Sequence, residues 1–270
     1  MFRRFGLVLV ALVLVPAALA AAPSPYAVQG GEGIASNDGV VRYVAQKGPG
    51  GKTTLQTVRD RDGVVVKSQT VDGSFGIPMV GSNLPAGMFH DGSAFVLQPV
   101  GYGKQTTFQI VNTNDLSVRD TIPLEGTFAY DALSPDGKTL YLIEHVSVDD
   151  LTHYVVRAYD VGEHTLRTGK VADKAQRGWV MQGFPASRTT TKNGRWVYTL
   201  YMNPNGYPFV HALDTVNAVA HCVGFAWPKG DQGALFNYSL KIKGGKLQVR
   251  SQGGAIWRAI DLRTWRVSKR

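Results

Sequence analysis

The densest cluster of chemically capable side chains in this 270-residue chain is Glu144-His145, Asp149-Asp150 and His153. The first pair closes an apolar run, the carboxylates fall in a short polar break, and His153 opens the next run. A hairpin across the break would bring His145 and His153 together with one carboxylate as a third ligand. An imidazole–carboxylate set of that kind suits zinc or a related ion. The same residues could instead contact an organic ligand, or form ordinary polar surface. They name no particular metal or cofactor.

A second group centres on Asp131, an acid placed early in the apolar run 128–133, where side chains of a closed sheet ring can face its channel. Arg177, Arg188, Tyr130 and Trp179 would line the same mouth and suit an anionic or sugar ligand. The equivalent positions in other repeats are Gly87 or Met88 and Ser187 or Arg188, so the second carboxylate that glycoside hydrolysis requires is missing. Cys222 is the single cysteine. Its neighbour His221 points to the opposite face of any strand they share, which leaves His211 as the candidate base. A buried thiol beside a core histidine is the simpler reading. Gly51-Lys52-Thr53 ends like a phosphate loop, yet Gln46 stands where the first glycine is needed, and no nucleophile elbow or zincin motif occurs. The chain is therefore expected to be a binding or interaction module and not an enzyme. The alternative is a hydrolase or lyase acting on an extracellular or cell-wall polymer, with Asp131, Glu144 and His145 converging as its acid/base set.

The elements that must hold these residues repeat. A tight-turn signal followed by an apolar run occurs at 37–39, 90–92, 134–137, 192–194 and 243–245, at intervals of about fifty residues. A second landmark, a run ending in Asp or Asn, follows each: Val155 to Asp160, Phe209 to Asp214, Ile256 to Asp261, and less cleanly Phe108 to Asn112 and Leu55 to Arg59. In Ser134-Pro135-Asp136-Gly137 the proline presets φ and the glycine accepts a positive φ, so the turn joins two strands. The runs that follow, such as Leu140 to Ile143 and Trp196 to Leu200, are apolar on both faces, as an interior strand between packed sheets should be. This predicts an all-β fold, a single β-propeller of about five four-stranded blades over 21–270. A sixth, degenerate blade around 22–33 is compatible with the pattern, and two stacked sheets are the structural alternative.

The stretches Phe128 to His145 and Trp196 to Asp214 resemble secreted bacterial propellers of the YVTN and WD-like type. They are similar in particular to uncharacterised exported propeller proteins of actinobacteria. The resemblance implies fold and export, and implies no reaction.

Residues 1–20 read as a signal peptide: Arg3-Arg4, an apolar stretch from Phe5, and the small residues Ala18 and Ala20 before the cut. Pro16 interrupts the stretch, which is short for a membrane span. No later apolar run reaches that length, so the mature chain is expected to be secreted or held in the cell envelope, without a transmembrane segment and as a monomer. The chain carries a formal charge of +9. Its cations look scattered along the sequence, with the tail 266–270 as the one basic cluster. That balance points to an anionic or polysaccharide envelope component, or a protein, as partner, and not specifically to nucleic acid.

Overall fold

The computed structural model describes residues 26–269 apart from 82–83, 174–177, 179, 204 and 228–231. The expected signal peptide, Arg177 and Trp179 therefore lie outside the described residues. The remainder is a short strand β1 (Tyr26–Val28) followed by five antiparallel sheets in chain order, three of four strands, one of five, and one of six when β1 is counted with it. Blade 1 is β2 (Ile34–Ala35), β3 (Val41–Lys47), β4 (Thr53–Arg59) and β5 (Val65–Val71). Blade 2 holds β6 (Phe75–Val80), β7 (Leu84–Pro85), β8 (Ala94–Pro99), β9 (Gln105–Asn112) and β10 (Val118–Glu125). Blade 3 holds β11 (Phe128–Leu133), β12 (Thr139–Ser147), β13 (Asp150–Asp160) and β14 (Thr165–Leu166), with β15 (Met181–Gln182) added beside β13. Blade 4 is β16 (Phe184–Thr190), β17 (Trp196–Met202), β18 (Phe209–Asp214) and β19 (Val219–Gly224). Blade 5 is β20 (Tyr238–Lys243), β21 (Lys246–Ser251), β22 (Ile256–Asp261) and β23 (Val267–Ser268). The fold is the five-bladed β-propeller that the repeats predict.

Each repeated turn joins the first strand of a blade to the second. At Ser134–Gly137 the Gly137 N–H donates to the Ser134 carbonyl at 2.9 Å, and the Ser134 hydroxyl donates to Asp136 at 2.6 Å. Gly137 has φ +69°, and a Cβ there would stand 2.5 Å from the Phe89 ring, so both conformation and space demand glycine. The run ending in Asp or Asn is the third strand in every blade. Four apolar clusters join neighbouring blades: Tyr43, Leu55, Phe75 and Phe95 between blades 1 and 2, then Phe108, Ile122, Phe128 and Leu142 between 2 and 3. Tyr141, Tyr154, Val197 and Tyr201 follow between 3 and 4, and Tyr198, Val210, Leu247 and Ile260 between 4 and 5. At about 1.5–3 kcal/mol for each large side chain buried, these layers supply most of the cohesion. Among the described residues, no such cluster joins blade 5 to blade 1.

Two features depart from a plain ring. The segment around 22–33 is not a sixth blade, because β1 pairs with β6, with Tyr26 opposite Met79 and Val28 opposite Ile77. The first strand of blade 2 is also split. It pairs with β8 at Phe75 and Gly76, leaves as the β6–β7 hairpin, and rejoins β8 at Gly87 and Met88. Gly81, near the hairpin tip, lies against the backbone of Ala186 and Ser187 on β16, so the excursion spans from blade 2 to blade 4 and fills the middle of the propeller. No helix among the described residues is long and apolar enough to cross a membrane.

Candidate functional site

The hairpin corrects the expectation of an open channel lined by Asp131. Asp131 lies on β11 at an irregularity in its pairing with β12, and is 1% exposed. Arg188 of β16 covers it, with guanidinium N–H groups donating to the Asp131 carboxylate and to its backbone carbonyl, while Arg188 Nε donates to Thr199 Oγ1 at 2.8 Å. Burial works against the guanidinium charge, but the adjacent Asp131 more than offsets it and keeps Arg188 protonated. The pair is a buried tie between blades 3 and 4.

The expected hairpin forms at β12–β13, yet it does not gather the histidines. His145 pairs with Tyr154, so it shares that residue's face, and His153 projects from the other. His145 is buried between Tyr102 and Tyr154, with ring centroids 5.5 and 6.0 Å away. Burial pushes its pKa down to about 4, while the Leu151 carbonyl and Asp150 counter only part of that. His153 faces Asp150, Nδ1 to Oδ2 at 2.5 Å, and Gln182, Nε2 to Nε2 at 2.7 Å. The Thr152 hydroxyl and His153 hold the Asp150 carboxyl down to about 2. Asp149 is exposed in the turn, its N–H bonded to the Ser147 hydroxyl at 3.1 Å. Glu144 pairs with Arg157. Among the described residues no group of three or more His, Cys, Asp or Glu is placed to hold a metal ion, which corrects the ligand set built on His145 and His153.

The acid/base set of Asp131, Glu144 and His145 does not converge either. Glu144 and His145 are consecutive on β12 and project to opposite faces, and Asp131 is sealed by Arg188. Cys222 Sγ does reach His211 Nδ1 at 3.5 Å, across a β18–β19 pair. Burial raises the thiol to about 12 and lowers His211 to about 4, so the pair rests as neutral thiol and neutral imidazole. His221, as expected, points the other way, its ring centroid 4.6 Å from that of Trp265 and tilted against it.

A cleft of about 700 Å³ opens instead between blade 1 and the inner edge of blade 4, with the β6–β7 hairpin as its floor. Glu32, Arg42 and Asp60 line one side, Arg188, Thr189 and Thr190 the other, and 84–88 the base. Arg42 on β3 and Asp60 just past β4 are joined at 2.5 Å. They meet because β3 and β4 pair with Arg42 opposite Val58, and the Asp60 N–H closes the ladder onto the Val40 carbonyl at 3.0 Å. Glu32 is exposed and makes no hydrogen bond or ion pair with a described residue. Its position is set by Gly33, where φ is +70° and a Cβ would lie 2.2 Å from the Tyr43 carbonyl oxygen, so the loop seats flush on β3. A smaller cleft of about 600 Å³ beside the Ser134–Gly137 turn also carries acids, but there Asp136 caps the turn and Asp160 pairs with Arg167.

None of Glu32, Arg42 and Asp60 is conspicuous in the sequence. The run Gly30-Gly31-Glu32-Gly33, an acid between glycines, is the one local signal that could have drawn attention to the cleft.

No protein-family profile and no curated protein matches the chain. Its fold is similar to solved propellers. The Dos1 propeller matches 87% of this chain at 12% identity and a TM-score of 0.50, and the chain spans 57% of the length of that structure. The periplasmic gluconolactonase PpgL of Pseudomonas aeruginosa matches over 87% of this chain and 67% of its own, at 18% identity and a TM-score of 0.48. A Bacteroides uniformis protein described as a candidate 6-phosphogluconolactonase matches over 87% and 82%, at 13% identity and 0.43. The expectation of a non-enzyme is corrected here. Solved structures that resemble the chain include proteins named as gluconolactonases.

Proposed function

We propose that the chain is an exported propeller hydrolase that cleaves a C–O bond in an extracellular or envelope carbohydrate, with the cleft between blades 1 and 4 as its active site. One observation carries the reading: the cleft sets an unpaired carboxylate, Glu32, opposite hydroxyl and guanidinium donors on a rigid strand. Glu32 takes the proton of an attacking water as general base. Thr189, Thr190 and the N–H groups that Arg188 does not use on Asp131 and Thr199 receive sugar hydroxyls or the oxygen on which charge develops. Arg42 holds Asp60 in place as the second carboxylate. Export rests on the signal-peptide pattern of residues 1–20, and the likeness to YVTN-type secreted propellers agrees with it.

The test is acid release in a pH-stat over a panel of sugar lactones and sugar esters, and formation of new reducing ends on wall polysaccharides, with wild type and Glu32→Gln. Loss of a general base costs about 10²–10⁴ in rate, so the variant should fall by that factor on the substrate that wild type turns over. A variant as active as wild type, or no turnover of any panel member by wild type, overturns the proposal.

A further inference from the structure

The chain's positive charge is concentrated in one blade. Residues 238–270 contain nine of the 29 Lys and Arg and one of the 20 Asp and Glu, Asp261, so they account for +8 of the +9 and the rest of the chain is close to neutral. Along the sequence these cations are separated by apolar residues, and the sheet is what sorts them. In β20, Tyr238, Leu240 and Ile242 pack toward blade 4, while Ser239, Lys241 and Lys243 take the other face. The pairing of β20 with β21 puts Lys246 opposite Lys243, Gln248 opposite Lys241 and Arg250 opposite Ser239. The face of blade 5 turned away from blade 4 thus presents Lys241, Lys243, Lys246 and Arg250, with one acid at its edge, Asp261, which stands opposite Lys246 on β22 and accepts from the Arg263 and Thr264 N–H groups of the turn that follows.

Three observations indicate that this face is a surface for a partner. The lysines are exposed, and none forms an ion pair with a described residue. No apolar cluster among the described residues covers the face from blade 1. Setting like charges directly across a strand pair works against folding, and Lys243 opposite Lys246 is such a pair; Asp261 stands opposite Lys246 on the other side but forms no ion pair with it. On one strand, same-face neighbours stand about 6.6–6.8 Å apart and adjacent strands about 4.8 Å apart, which spreads the ammonium groups as a flat array.

We infer that this face of blade 5 docks a linear anionic polysaccharide. The charge requires a polyanion, and the other side chains narrow the kind. The blade's aromatic residues, Tyr238, Trp257 and Trp265, belong to the cluster packed on blade 4, so the cationic face has no ring on which nucleic-acid bases would stack. It also has no exposed large apolar side chain to enter a bilayer. Lysines on a flat sheet contact a chain of regularly spaced carboxylates or sulfates as point charges, without demanding one geometry. The surface is distinct from the cleft of Glu32, and its role does not depend on the hydrolase reading.

The experiment measures binding of the full chain to polygalacturonate, with neutral dextran, double-stranded DNA and phosphatidylglycerol vesicles in parallel. The patch variant is Lys241→Glu/Lys243→Glu/Lys246→Glu. A control of equal charge change is Lys47→Glu/Lys104→Glu/Lys192→Glu, three exposed lysines of blades 1, 2 and 4. Each cation that a linear polyanion neutralises releases about 0.7 counterion, so three contacts should weaken wild-type binding roughly twentyfold between 50 and 200 mM salt. The patch variant should lose about tenfold or more at low salt, while the control, its charges spread over three other blades, stays within about twofold. Equal loss in both variants, no polygalacturonate binding by wild type, or tighter binding of DNA or vesicles overturns the inference. Should the patch variant melt early, Lys241→Gln/Lys243→Gln/Lys246→Gln replaces it, with the same outcomes deciding.

Discussion

Asp131 and Arg188 offer the sharpest test of how blades 3 and 4 are held together. Their side chains are 1% and 9% exposed, so both charges are largely withdrawn from water and each depends on the other. Asp131→Ala leaves a buried guanidinium with the Asp131 backbone carbonyl and the Thr199 hydroxyl as its remaining acceptors. Removing one partner of a buried pair costs about 3–5 kcal/mol, because the survivor's desolvation is no longer compensated. At about 2–4 °C per kcal/mol for a domain of this size, the melting temperature should drop by roughly 6–20 °C. Asp131→Ala/Arg188→Met removes both charges and should recover much of that, giving a coupling of about 2 kcal/mol or more. Urea unfolding of the wild type, both single variants and the double variant measures the cycle. If Asp131→Ala costs less than about 1 kcal/mol and the cycle is additive, Arg188 is hydrated and the pair is not the tie described.

The buried histidines predict the response to acid. Burial lowers both His145 and His211 to about 4, from about 6.5 unfolded, so between those values the unfolded chain binds more protons. Their stabilising effect is complete above pH 6.5 and is lost as the pH falls toward 4, and His211→Gln should flatten the fall by about 1 kcal/mol or more at pH 5. An unchanged pH profile in that variant would mean that His211 is solvated. Gly137→Val should cost about 2 kcal/mol or more, combining left-handed strain with the 2.5 Å approach to Phe89. Gly63→Ala, also at positive φ but with nothing within 4 Å, should cost about 1, and equal losses in the two would remove the packing half of the explanation. Intact-mass analysis of secreted material should give a chain beginning at Ala21, and recovery of residues 1–20 attached in a membrane fraction would contradict the export pattern.

The fold was legible because its signals are local. Pro135 and Gly137 write one turn within four residues, and Asp160, Asp214 and Asp261 write the end of a third strand, so the count of repeats carries to the count of blades. The candidate site was not, because its geometry depends on register. A strand alternates faces with a period of two, so a one-residue difference in pairing decides whether two side chains meet. His145 is opposite Tyr154 and not His153, with a register shift between His145 and Ser147, and the apparent metal set separates onto two faces of one sheet. Arg42 and Asp60 meet through the same arithmetic, with nothing nearby in the sequence to announce it.

The β6–β7 hairpin explains why the chemistry lies where it does. With the hairpin laid from blade 2 to the Ala186–Ser187 backbone, the middle of the propeller is filled, and an inward-facing acid such as Asp131 becomes a structural charge that needs Arg188. The cleft opens at the side of the hairpin, between blade 1 and blade 4, and there Glu32 is exposed and makes no ion pair with a described residue. Blade 5 packs on blade 4 through one face only, which leaves the second face free to carry a charge that no interior strand could hold. Among the described residues no apolar cluster joins blades 5 and 1, and the two proposed surfaces, the cationic face of blade 5 and the cleft beside blade 1, lie on the blades at that junction.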